Sequence, residues 1–136
     1  MRSCLFAFAI ALSACATPHV LRPGDLAPLT SKVPADQRTL MWQRAIVALL
    51  DEGYVPQVLN EAACYISAKQ RDDLADDKLE GTIVLVTITS EGMLRVEVDG
   101  HGLYSSDDAF LADVRGVQDH LMQAIMARTT SAAATR

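Results

Sequence analysis

From Asp36 to Glu52 the apolar residues return every three or four positions. Trp42, Ala45, Ile46, Leu49 and Leu50 share one side of a helical wheel, while Gln43, Arg44 and Asp51 lie elsewhere. That spacing predicts an amphipathic helix. Asp36 is its expected N-cap. Gly53 stands where a left-handed residue ends a helix, and Tyr54 is placed for the closing hydrophobic contact. Beyond it the period falls to two. Tyr54–Leu59 contains Pro56, which has no N–H to give a ladder, so it reads as an edge strand. Asn60–Ala63 turns the chain into Cys64–Lys69, with Cys64, Ile66 and Ala68 on one side. Thr82–Ser90 is rich in β-branched residues, with Val84, Val86 and Ile88 opposed to Ile83, Leu85, Thr87 and Thr89. Glu91-Gly92 makes a tight turn into Met93–Asp99, where Leu94, Val96 and Val98 alternate with Arg95, Glu97 and Asp99.

A last helix is expected from Ser105, which caps it, with Asp107 and Asp108 in the first turn suiting the helix dipole. Phe110, Val114, Val117, Leu121 and Ile125 form its stripe, broadened by Leu111 and Met122. Gly116 interrupts the stripe and reads as a point of close packing on the sheet or the first helix. Both helices are one-sided, and the hairpin has one strictly apolar side. The expected fold is therefore α+β, two helices on one face of a three- to four-stranded antiparallel sheet in the order α-β-β-β-β-α over residues 35–128. The other sheet face, with Thr87, Thr89, Arg95 and Glu97, is expected to be wet. Residues 129–136 are patternless Thr, Ser and Ala and are expected to be a disordered tail.

Residues 1–14 carry a different pattern. Arg2 precedes an apolar run from Leu5 to Leu12, followed by Ser13 and Ala14. This is the layout of a secretory signal peptide, and the run is about half the ~20 residues of a membrane span. Leu12-Ser13-Ala14-Cys15 resembles the lipobox of bacterial lipoprotein precursors. The resemblance implies acylation of the Cys15 thiol, cleavage before it, and an acylated new amine. Several acyl chains anchor stably where one binds marginally. Ala16, rather than Asp, follows the cysteine, and by analogy with sorting in enteric-type bacteria this favours the periplasmic face of the outer membrane. Residues 16–34 hold four of the five prolines, at 18, 23, 28 and 34. They read as an extended, solvated tether that reaches about 60 Å, with packing of Leu26, Leu29 and Val33 on the domain as the alternative.

Composition narrows the partners. The 136 residues carry 12 basic and 17 acidic side chains, net −5, with only three lysines. Losing residues 1–14 removes Arg2 and leaves a net charge of −6. Nucleic-acid binding needs clustered cations and is not expected. With Cys4 removed and Cys15 acylated, Cys64 is left without an internal disulfide partner, and it reads as a small buried hydrophobe.

The Trp-bearing helix, the Gly53-Tyr54 stop, the edge strand and the return through Tyr65-Ile66-Ser67-Ala68 resemble the helix-grip modules of the C component of the outer-membrane β-barrel assembly machinery. The likeness spans about 35 residues. Where that module commonly has Asp and then Gly before its second strand, this chain has Asn60 and Cys64. A fold likeness of this kind does not transfer a function.

Candidate chemistry is sparse. His19, His101 and His120 are far apart in sequence, and no Cys-x-x-Cys or His-Glu-x-x-His occurs, so no metal, cofactor or catalytic residue is assigned. His101 between Gly100 and Gly102 reads as a solvated turn. Asp72, Asp73, Asp76, Asp77 and Glu80 make a charged connection that lacks the order of a helix-loop-helix calcium site. The expectation is a non-enzymatic, outer-membrane-anchored periplasmic module of an envelope assembly or transport complex. It would bind a protein partner through Tyr54, Val55, Val58, Arg95 and Glu97 by added-strand pairing and contact with the open sheet face. The alternative is a small-ligand or lipid-binding domain with a pocket lined by Trp42, Phe110 and Met122.

Overall fold

The strictest alternation in the chain becomes the middle of the sheet. The computed structural model describes residues 16–21, 25–74 and 79–133; residues 1–14, expected to be a signal peptide, and Cys15 lie outside them. Its elements are β1 (Thr17–Val20), β2 (Leu29–Lys32), α1 (Arg38–Asp51), β3 (Tyr54–Asn60), β4 (Tyr65–Gln70), β5 (Leu79–Ile88), β6 (Met93–Tyr104) and α2 (Asp107–Ala133). The six strands form one antiparallel sheet in the order β1-β6-β5-β4-β3, with β2 also paired to β6. The fold is α+β as expected, with more strands than the pattern suggested.

In the β5–β6 hairpin Val84 faces Val98, Val86 faces Val96 and Ile88 faces Leu94. All six point to one side and are buried. α2 lies over β6 and β2, α1 over β3, β4 and β5, and the two helices touch each other. Each fully buried aliphatic side chain contributes about 1.5–3 kcal/mol, against about 0–1 kcal/mol for an exposed ion pair. The apolar face therefore holds the fold, and the surface salt bridges only trim it.

The stretch expected to be a tether is part of this sheet. β1 pairs Thr17 with Tyr104 through Val20 with His101, and β2 pairs Leu29 with Val96 through Lys32 with Met93. They lie end to end along one edge of β6, as two halves of an interrupted strand. Pro18 is tolerated because an edge residue can face solvent with its missing N–H. Val33 is buried, and its N–H donates to the Gly92 carbonyl at 2.8 Å. A Cβ on Gly92, whose φ is +78°, would lie 2.3 Å from the Val33 carbonyl oxygen, so the β5–β6 turn is moulded onto the incoming chain.

Several boundaries move. Asp36 sits in a short 3-10 turn, Ala35–Gln37, and does not cap α1. Arg38 ties that end down instead, donating from Nε to the Ile88 carbonyl (2.8 Å) and from Nη2 to the Ala63 carbonyl (3.0 Å). The buried face of α1 is Met41, Trp42, Ala45, Ala48 and Leu49, while Leu50 is half exposed. The cap of α2 is Ser106, whose Oγ accepts from the Ala109 N–H, rather than Ser105. α2 continues through Ala133, so residues 129–133 are helical where a disordered tail was expected. Gly100-His101-Gly102 is strand, not loop. Cys64 is buried in the turn before β4, with φ +48°, and the Asn60 side chain accepts from the Ala63 N–H to shape that turn.

Gln118 went unnoticed in the apolar stripe of α2. It is almost fully buried, and its Nε2 donates to the Val96 carbonyl at 2.8 Å and to the Ala27 carbonyl at 3.1 Å. One side-chain amide thus bridges the interruption between β1 and β2. Gln118→Leu keeps the volume but strips both carbonyls of their donor. It should cost about 1–3 kcal/mol, seen as a lower urea midpoint with an unchanged m value.

Candidate functional site

Two surfaces draw on the residues predicted to bind a partner: the β3 edge with the uncovered sheet face, and a cleft between the helices and one end of the sheet.

The predicted partner residues divide between them. Val55 and Val58 are on β3 with 43% and 50% of their surface exposed, beside Leu59 at 49%. The register β3 to β6 sets Val58, Ser67, Leu85 and Glu97 in one row across the outer face. Arg95 and Glu97 lie on that face as well, paired at 2.9 Å and each half exposed. Val55, Val58, Arg95 and Glu97 therefore share one uncovered surface. Tyr54 does not belong to it. Its ring turns inward and is buried, because the residue after a helix-ending Gly packs back on the helix. An open depression of about 550 Å³ adjoins this edge, walled by Val55, Gln57, Lys69 and Arg71.

Tyr54 instead helps to line the cleft, which encloses about 430 Å³. α1 brings Glu52 to its mouth, and α2 brings Asp113 and His120. The wall is Leu79 and Tyr104 from the sheet and Val117 from α2. His120 Nε2 lies 2.5 Å from Glu52 Oε2, and Arg128 pairs with Asp51 about two turns further along α2. These two contacts tie α2 to the C-terminal end of α1. Burial, with the Glu52 carboxylate adding in the same direction, pushes the Tyr54 phenol up to about 12. It is a neutral hydroxyl at any physiological pH.

Gly116 opens onto this cleft. A Cβ there would meet nothing within 4 Å, so the close packing expected of it is absent. Gly costs a helix interior about 1 kcal/mol relative to Ala, and here that cost leaves only empty space.

Other expectations resolve as structure. Trp42 and Phe110 are buried in the core, and Phe110 also borders a depression of about 320 Å³ beside His19 and Asp107. Trp42 Nε1 donates to the Tyr65 carbonyl at 3.3 Å, and Phe110 stacks on Tyr104 and His19. His19, placed by sequence in the tether, fastens β1. Its Nε2 lies 2.9 Å from Asp107, and its Nδ1 lies 2.8 Å from the Thr17 carbonyl. Asp72 and Asp73 pair with Lys69 and Arg71, while Asp76 and Asp77 lie outside the described residues. Among the described residues no three metal-ligating side chains come together. No protein-family model and no curated protein matches the chain.

The phenol makes a pH prediction. Tyr54 in the unfolded chain ionises near its ordinary value of about 10, while the folded protein holds the proton to about 12. Its contribution is fully present below pH 10 and is lost as pH rises through 12. Ultraviolet titration of tyrosinate should show a late-ionising phenol that Tyr54→Phe removes. Stability between pH 10 and 12 should fall less steeply in that variant.

Proposed function

We propose that this chain is a bacterial lipoprotein, anchored through acylated Cys15 to the periplasmic face of the outer membrane, and that it serves as a non-catalytic interaction module of an envelope assembly or transport complex. The observation that carries the interaction reading is the β3 edge. Three exposed aliphatic side chains sit on a strand with one side unpaired among the described residues, and the sheet face running from it is covered by neither helix. Exposed edges of this kind accept an added strand. The lipobox pattern before Cys15 supports the address.

The strand pairings give this reading a geometry. Only Ala16 separates Cys15 from β1, so the acylated residue lies within about 7 Å of Thr17. A lipid there holds the β1 edge against the membrane instead of leaving the domain on a long leash. β3 lies at the other edge, four strand spacings and so about 19 Å away. The anchoring edge and the docking edge are opposite sides of one sheet.

Two measurements test the proposal. Mass spectrometry of protein from its own envelope should find a chain that starts at acylated Cys15; a free thiol there, or residues 1–14 retained, removes the address. A photo-crosslinker at Val58 in living cells should trap one defined envelope protein, and one at Gln123, on α2 away from the edge, should not. Equal yields at both positions, or none at either, count against the docking edge. Val58→Lys should abolish the adduct formed through Val55 while changing stability by no more than about 0.5 kcal/mol.

A further inference from the structure

We propose that the cleft between α2, the end of α1 and the sheet binds a small organic cation, a primary ammonium group carried on a compact apolar body. The inference does not depend on the lipid anchor or on the docking edge.

The charge of the lining is one-sided. Glu52 and Asp113 bring two carboxylates to the mouth, and among the described residues neither a lysine nor an arginine lines the cleft. His120 already engages Glu52, whereas Asp113 is exposed on α2 and faces the opening. Deeper in, the donors and acceptors suit an ammonium. The Gln70 side chain offers a carbonyl, Tyr54 offers a phenol oxygen, and the Tyr54 and Tyr104 rings line the wall, where a cation is held by the ring quadrupole. Leu79, Val117 and Leu121 leave the rest of the wall apolar. About 430 Å³ lies in the range of small-molecule sites, which pair apolar walls with a few placed polar groups.

Gly116 is the second, independent observation. It stands mid-helix, where glycine is the poorest choice short of proline, and no neighbour requires the absence of its Cβ. What the missing side chain does provide is room: any larger residue would project into the cleft. A residue that weakens its own helix and relieves no clash is explained by an occupant.

The cleft lies at the anchor end of the sheet, since Tyr104 pairs with Thr17. An ammonium can therefore come from solution or from an ethanolamine headgroup. The full-length, isotope-labelled chain is placed in phosphatidylcholine nanodiscs and titrated with 2-phenylethylamine, following the amide signals of Gly116 and Val117. A saturable shift with the amine, and none with 3-phenylpropionate, is expected. Asp113→Asn should weaken the amine about fivefold, as befits one partly solvated charge contact. Gly116→Leu should abolish the response while the thermal midpoint stays equal or rises, which separates a filled cleft from a failed fold. In phosphatidylethanolamine nanodiscs, signals already displaced without added amine assign the headgroup; displacement by the soluble amine alone assigns a free ligand. No saturable response in either setting, an equal response to the carboxylate, or unchanged amine binding by Gly116→Leu overturns the proposal. None of these outcomes bears on whether Cys15 is acylated or Val58 docks a partner.

Discussion

Everything in this domain is referred to β6. It pairs with β5 along one side and receives both β1 and β2 along the other, while its inward residues form the floor on which α2 rests. Because side chains alternate strictly, a slip of one residue would carry Leu94, Val96 and Val98 to water and Arg95 and Glu97 into the core. The hydrophobic face therefore sets the register, and the register sets where the helices, the interrupted edge and the cleft fall. Exposed ion pairs such as Arg95–Glu97 follow from that placement and do not determine it.

The parts legible in the sequence are those in which local pattern and burial agree. Val84, Val86 and Ile88 against Leu94, Val96 and Val98 predict their own pairing, and Pro56 marks an edge that is indeed an edge. Gly53 stops α1 in a left-handed conformation, as its position before Tyr54 implies. β1 and β2 were illegible because each is four residues long and set among prolines. Their strand character comes from β6, a partner some sixty or more residues away, rather than from their own propensity. The wheel of α1 misplaced its face by favouring Leu50 over Met41 and Ala48. Two helices packing side by side bury a flank that an isolated amphipathic helix would leave exposed.

The candidate surfaces were legible unevenly for the same reason. Arg95 and Glu97 share a face by the period of two, and the irregularity between Pro56 and Val58 in β3 brings Val55 and Val58, three residues apart, onto that same face. Tyr54 was misassigned because the residue closing a helix turns back onto it, whatever the strand that follows. The cleft gave little warning in the sequence. Its lining draws on the end of α1, four strands and α2, brought together only by the sheet order. The one local hint was Gly116, a glycine in a helix stripe, which is equally the mark of tight packing and of open space. Only the packed structure separates the two.

Gln118 limits how the molecule can move. Its amide holds one carbonyl of β6 and one from the chain between the two edge segments. For α2 to ratchet forward by a turn, about 5.4 Å, both acceptors would have to be abandoned inside the protein at once. Helix, central strand and split edge therefore travel as a single rigid body. Any breathing that admits a guest beneath α2 must come from the tip of α1, where Glu52–His120 and Asp51–Arg128 are solvent-washed ties that part easily.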